Sequence, residues 1–193
     1  MNTKNFKFII VGFHGSGKMH VADRLREYGA SVGNIFRSTE SVGQQYTLST
    51  VVYDTKEINN IFDTQSYIFM KECRDRSNKY YEGISFYEYQ NNDVFVISPD
   101  QFNNIPKFDD NVVFVWLDNS SGQRRARYRS ERRKYDFVER DNMEYEFVQD
   151  FTDRMGDNPV MYFYNEDPDR VATILWAILQ HPDLLDSFLN TFN

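Results

Sequence analysis

The chain has 193 residues, of which 40% are hydrophobic and 17% aromatic, a single cysteine, and a formal net charge of −7. That length supports one compact α/β core rather than two, and the acidic balance argues against a general binder of polymeric nucleic acid or acidic membrane. Cys73 stands alone, so an internal disulfide is excluded and a reducing, cytoplasmic compartment is expected; the apolar stretch behind the N-terminus is too short for a secretory or spanning segment.

Phe6 to Val11 is a short β-branched apolar run ended by Gly12, the pattern of a buried strand. From Lys18 the spacing changes: Val21, Ala22, Leu25 and Tyr28 fall on one helical face, with Gly29 as the stop. Tyr46 to Tyr53 alternates as a half-exposed strand does, and Asp54 with Glu57 predicts a capping box for a short helix ending near Phe62. Ser66 to Met70 and Lys79 to Tyr81 read as further short strands. Asp93 to Ile97 is a second buried strand, closed by Ser98-Pro99-Asp100-Gln101, a capping box with Pro at the first helical position.

Val112 to Leu117 is the third buried strand. Two helical stretches follow, at 120–133 and 137–154, the second carrying Val138, Tyr145, Val148, Phe151 and Met155 near one stripe. Val160 to Tyr164 is a fourth strand. The closing helix has Val171, Ile174, Leu175 and Ile178 at spacings of three and four, and a last short helix runs from Pro182 to Phe192 with Leu185 and Leu189 in register. Buried strands alternating with helices mean a parallel sheet covered on both sides. The short strands between 35 and 90 predict a small antiparallel insertion beside that sheet.

Gly12-Phe13-His14-Gly15-Ser16-Gly17-Lys18 lies between the first strand and the first helix and fits the phosphate-loop pattern up to its last position. Glycines let backbone N–H groups turn inward around phosphate oxygens, the helix points its positive end at them, and the lysine adds charge. A Gly-rich turn that merely joins strand to helix is the bland alternative; the strand before and the helix after favour the phosphate site. Met19 stands where the pattern has Ser or Thr, whose hydroxyl binds Mg²⁺. A thioether is a poor ligand for a hard cation, so the ion would need water, phosphates and a carboxylate from elsewhere, with Ser16 or His20 as weaker helpers. Asp100 and Asp118 each follow a buried strand, where an α/β sheet presents residues to a ligand; either suits the metal's water shell, and Asp100 equally suits a plain helix start.

Arg124, Arg125, Arg127, Arg129, Arg132, Arg133 and Lys134 fall within eleven residues, opposed only by Glu131. A solvated helix face is the ordinary explanation of such a run, but on an acidic protein the mutual repulsion favours a lid that clamps phosphates. His14 more readily fills space within the loop than acts chemically, His181 marks a helix boundary, and no Cys/His spacing suits a metal.

With these parts in order, the chain resembles the guanylate kinases and their phage and bacterial nucleoside-monophosphate kinase relatives. Besides the phosphate loop, Val52 to Ile61 is similar to the strand and helix that open that family's monophosphate-binding part. Tyr80-Tyr81-Glu82-Gly83-Ile84-Ser85 is similar to its Tyr-Gly-Thr-Ser element with one extra residue, Asp93 to Gln101 to the following strand and its terminal aspartate, and Tyr162 to Asp167 to its late strand and Asn-Asp-Asp turn. The resemblance implies a three-layer α/β P-loop kinase fold spanning 1–193. Its core would be 1–34 and 93–193, its monophosphate-binding insertion about 35–90 and its Arg-rich lid about 120–140.

By the same resemblance, Gly12, His14, Gly15, Ser16, Gly17, Lys18 and Met19 would hold ATP, with Asn165 near the adenine. Arg37, Tyr81 and Ser85 would meet the acceptor, with Glu72 one option for reading its base, and Asp100 would stand near the acceptor and, through water, Mg²⁺. Lys18, Arg129, Arg132 and Arg140 would complete the catalytic set. The implied reaction moves the γ-phosphoryl of ATP to GMP, dGMP or another (deoxy)nucleoside monophosphate, in a monomer or homodimer with no polymeric nucleic acid or membrane partner. Two departures stand out: Met19, and Arg37-Ser38-Thr39-Glu40 in place of the family's Arg-Pro-Pro-Arg. They leave open a guanylate-kinase-like binding module without chemistry, or a P-loop kinase for another small metabolite.

Overall fold

Phe8, Ile9, Ile10 and Val11 are all inaccessible to solvent, so the first strand must be covered on both faces. The computed structural model describes residues 6–33, 35–38, 50–53, 67–75, 78–98, 101, 108–130 and 137–191. In chain order the elements are β1 (Lys7–Val11), α1 (Lys18–Tyr28), β2 (Ile35–Ser38), β3 (Thr50–Tyr53), β4 (Tyr67–Asp75), β5 (Asn78–Ser85), α2 (Phe86–Asn91), β6 (Val94–Val96), β7 (Val112–Asp118), α3 (Ser121–Ser130), α4 (Phe137–Met155), β8 (Val160–Tyr164), α5 (Pro168–Gln180) and α6 (Asp183–Thr191).

Four strands form a parallel sheet in the order β6-β1-β7-β8. Ile9 of β1 stands beside Phe95 on one side and Phe114 on the other, and Val32 adds one parallel bridge to Val94 at the β6 edge. Alternate residues divide between two apolar layers, as strand geometry requires. Phe8, Ile10, Val113, Val115 and Leu117 pack with Val21 and Leu25 of α1 and Val171 and Leu175 of α5. Ile9, Val11, Phe95, Phe114 and Trp116 pack on the other side with Phe151 and Met155 of α4. Helix, sheet and helix thus make three layers around β1.

The second sheet has the order β3-β2-β5-β4. β4 and β5 form a hairpin longer than the two short strands expected from sequence, and β2 joins it antiparallel. β3, however, runs parallel to β2, so this sheet is mixed rather than wholly antiparallel. α2 is an element beyond those expected from the sequence. Its cause is local: the Ser85 hydroxyl accepts the Glu88 N–H at 3.1 Å and starts the helix. The Asp54–Glu57 capping box lies outside the described residues. Of the Ser98–Gln101 box, the half that is described forms as expected, with the Gln101 side-chain oxygen accepting the Ser98 N–H at 3.0 Å. No helix among the described residues is long and apolar enough to cross a membrane.

The topology positions a site without help from side chains. The chain leaves β1 toward β6 on one side and leaves β7 toward β8 on the other. Connections therefore diverge between the C-terminal ends of β1 and β7, the place where open α/β sheets receive ligands.

Candidate phosphate-binding site

Six residues separate Val11, the end of β1, from Lys18, the start of α1, and three of them are glycines with positive φ: Gly12 at 150°, Gly15 at 77° and Gly17 at 92°. Only glycine takes such angles without strain. Close approach excludes a side chain as well. A Cβ on Gly12 would lie 2.1 Å from the Leu117 carbonyl oxygen at the end of β7, and one on Gly15 would lie 2.9 Å from the Arg124 carbonyl oxygen. Gly17 caps α1 with no side-chain hydrogen bond, so the positive end of an 11-residue helix faces the loop. The Lys18 ammonium folds back over the turn, donating to Gly12 O at 2.5 Å and Phe13 O at 2.8 Å.

The loop is braced from below by a buried asparagine pair. Asn165, fully buried after β8, donates its side-chain amide to Ser16 O at 2.6 Å. Its own N–H bonds Asp118 O at 2.8 Å, and its carbonyl accepts from the Asn119 side chain at 2.7 Å. The ends of β7 and β8 are thereby fixed to the turn. Ser16 Oγ and Asn165 Oδ1 are both buried without a hydrogen-bond partner among the described residues, a costly state that a bound polar group or water relieves.

Two helices brace it from outside. Arg124 of α3 is 2% exposed. It pairs with Asp141 of α4 through both terminal guanidinium nitrogens, donates from Nε to Asn119 O at 3.2 Å, and sets its guanidinium 4.7 Å from the Phe13 ring centroid. Arg127, three residues on and so on the same helix face, donates to Gly15 O at 3.1 Å. From α4, Tyr145 lies 4.7 Å from the Phe13 ring, and the buried Glu144 carboxylate accepts the His14 N–H at 2.5 Å.

No family model matches the chain, and no curated protein matches it by sequence. Among solved structures, guanylate kinase from Anaplasma phagocytophilum aligns with a TM-score of 0.55 at 16% identity, over 91% of this chain and 85% of that one. An unliganded sugar kinase from Janibacter sp. HTCC2649 aligns over 91% of this chain and 95% of its own, at 13% identity and a TM-score of 0.36, too low to carry an argument. The first likeness and the sheet order agree. The fold is P-loop kinase-like. At that identity the likeness speaks for architecture alone.

Gly12, His14, Gly15, Ser16, Gly17 and Lys18 come together in the single turn that the sequence predicts. Met19 begins the apolar side of α1, half-buried and packed against the cluster containing Val21 and Val171, so its thioether serves packing. Asn165 contacts the loop, but its amide is committed to Ser16 O. His20, a weaker candidate for the metal, bonds Asp169 at 3.0 Å on the surface.

The expected acceptor residues lie on the second sheet. Tyr81 stands opposite Glu72 in the ladder, whereas Arg37 stands opposite Glu82. Arg37, Tyr81 and Glu72 thus lie on three neighbouring strands, β2, β5 and β4. Ser85 Oγ serves as the α2 cap. Arg129 and Arg140 belong to α3 and α4, with side chains outside the described set, as are Asp100 and Arg132 altogether.

Sequence reasoning did not single out Glu144, Asn119, Arg124 or Arg127 from their surroundings. For the two arginines a signal existed in their spacing of three, but choosing that face needed the position of the loop. Glu82 was also missed: it accepts from the Gln101 side chain at 2.8 Å and joins the second sheet to the end of β6.

The residues present suit a phosphate chain: positive-φ glycines, a helix start, an ammonium, and a buried hydroxyl in need of a partner. They suit a protein-held Mg²⁺ less well. Position 19 supplies sulfur rather than oxygen, and no group of three or more His, Cys, Asp or Glu suited to a metal occurs among the described residues.

Proposed function

We propose that this chain is a phosphotransferase that holds the phosphates of ATP in the loop Gly12–Lys18 and passes the terminal phosphoryl to a nucleoside monophosphate, with GMP and dGMP the first candidates. The carrying observation is the turn itself: three positive-φ glycines at the C-terminal end of the central strand, with Lys18 drawn across them. In the transfer, the bond from the γ-phosphorus to the β-phosphate bridging oxygen breaks, and a new one forms to a phosphate oxygen of the acceptor. Lys18 and the helix start stabilise charge on the donor, and Arg127 at Gly15 brings a second cation to the same turn. Arg129 and Arg132 are the lid cations of this reading, and Arg140 is its later arginine reaching the phosphates. Tyr81, Glu72, Arg37 and Ser85 form its acceptor side, where closure excludes water as a competing acceptor. Mg²⁺, when bound to the phosphates, neutralises their charge, and Asp100 is the carboxylate of this reading that would orient its water shell.

A coupled ADP-release assay against the common ribo- and deoxynucleoside monophosphates tests this. One or a few monophosphates should raise turnover over the ATP-only rate, and Lys18→Ala should lower it at least about 100-fold. Should no monophosphate stimulate while ATP still binds, the kinase assignment fails. A nucleotide-binding module is then favoured, a reading to which the apolar packing of Met19 also lends weight. Stimulation by a small hydroxylated metabolite instead would keep the chemistry and change the acceptor.

A further inference from the structure

Asp141, Glu144 and Tyr145 sit three and four residues apart on α4 and so share one face. All three reach toward the phosphate loop or its brace. Asp141 pairs with Arg124, Tyr145 packs on Phe13, and Glu144, 2% exposed, takes the His14 N–H across 130 residues of sequence. Burying a carboxylate is costly, and packing alone has no need of one, since an apolar side chain fills such space at lower cost. Its hydrogen bond from the loop ties this carboxylate to the turn. The His14 N–H and the Phe13 carbonyl belong to one planar trans peptide and point in opposite directions. Glu144 holds that peptide at its N–H end, and Lys18 holds the same peptide at its carbonyl, 2.8 Å away. Carboxylate, peptide dipole and ammonium therefore stand in series, each oriented favourably toward the next.

We infer that Glu144 is a positioning residue: by fixing the Phe13–His14 peptide it presents the Phe13 carbonyl to Lys18 and so sets where the ammonium stands. Nucleotide affinity then depends on α4, through a residue that need not touch nucleotide. This rests on the loop being the nucleotide site, and the test separates the two ideas. The His14 amide resonance is followed by NMR in the full chain without nucleotide, and ATP affinity is measured by calorimetry. In the wild type the His14 proton should lie well downfield, as a short bond to a carboxylate requires. Glu144→Ala should return it to the ordinary amide range and weaken ATP about tenfold, the loss of one charge-assisted hydrogen bond. Glu144→Gln keeps an acceptor, so it should shift the resonance only in part and hold ATP within about threefold of wild type. Lys18→Ala should lose ATP while leaving the His14 proton downfield.

A His14 resonance indifferent to Glu144→Ala overturns the inference, provided the remaining amide spectrum shows the variant folded. So does unchanged ATP affinity in that variant, or a Gln variant as weak as the Ala one. If the resonance answers to Glu144 but the wild type binds no ATP, the grip on the peptide stands and the nucleotide reading falls.

Discussion

Arg124→Met probes the joint between the two outer helices and the phosphate loop. Arg124 is among the largest fully buried side chains, and its partner Asp141 keeps 15% of its side-chain exposure. Removing one member of a buried ion pair costs about 3–5 kcal/mol because the other charge is left without compensation. Asp141 can rehydrate in part, which favours the low end, about 3 kcal/mol. Methionine recovers some packing against Phe13 and Phe137, the rings that lie 4.7 and 5.7 Å from the guanidinium, but it offers nothing to Asn119 O. For a chain of this size each kcal/mol moves the thermal midpoint by about 2–4 °C, so a fall of roughly 6–12 °C is expected. The double variant Arg124→Met/Asp141→Leu should recover most of that loss, since a well-packed apolar pair replaces a buried ionic one at little net cost. Urea unfolding of wild type, both singles and the double closes the cycle. A single-variant cost under about 1 kcal/mol, the range of an exposed ion pair, or a coupling near zero, would refute the claim that this arginine is structural cement.

Two further outcomes follow from local geometry. Gly15→Ala introduces a Cβ at φ 77° and 2.9 Å from the Arg124 carbonyl oxygen; it should destabilise the fold by about 1–3 kcal/mol and weaken ATP binding, both readable by a ligand-dependent thermal shift. Asp169 is held below the usual carboxylate range first by its hydrogen bond from His20 and then by that from Arg24. A depressed folded pKa gives stability that is present above the unfolded value of about 3.9 and is lost as pH falls through the folded one. Urea midpoints measured from neutral pH down through that window should therefore decline less steeply in Asp169→Asn than in wild type. The difference should shrink in high salt, since these groups are exposed.

The turn from Gly12 to Lys18 was legible because everything that makes it is local. An apolar run must end, a helix must start, and glycines sit where the turn needs positive φ. The centre of the main sheet was legible for a similar reason, since β1, β6 and β7, buried on both faces, carry no polar alternation. The brace around the loop was not. Glu144 meets His14 across 130 residues, and nothing near either residue announces the other. In the arginine run the sequence shows many cations but not the rotation of α3, so it does not reveal that Arg124 and Arg127 turn toward the loop. Ser85 is different. Ser85-Phe86-Tyr87-Glu88 carries the Ser-x-x-Glu signature of a helix start, a local signal that α2 bears out. Register in the second sheet, which sets Arg37 against Glu82, depends on how three strands slide past one another, and short strands with charged residues on both sides encode that weakly.

Met19 makes the two demands on the start of α1 separable. Its side chain is packed against the apolar cluster between α1 and α5, while the same position in a phosphate-loop pattern carries the hydroxyl that meets the ion. Met19→Thr exchanges one for the other. The lost apolar contact should cost about 1 kcal/mol of stability, less than a full core truncation because Met19 is only half-buried. The gained oxygen should lower the Mg²⁺ concentration for half-maximal activity about fivefold, roughly the worth of one added hard ligand shared with water. Stability and metal dependence would thus move in opposite senses in one variant, which general damage to the fold cannot produce. If the Mg²⁺ titration is unchanged while the stability loss appears, the ion is fully served by phosphate, water and a carboxylate. The sulfur at position 19 would then be a packing choice with no catalytic consequence.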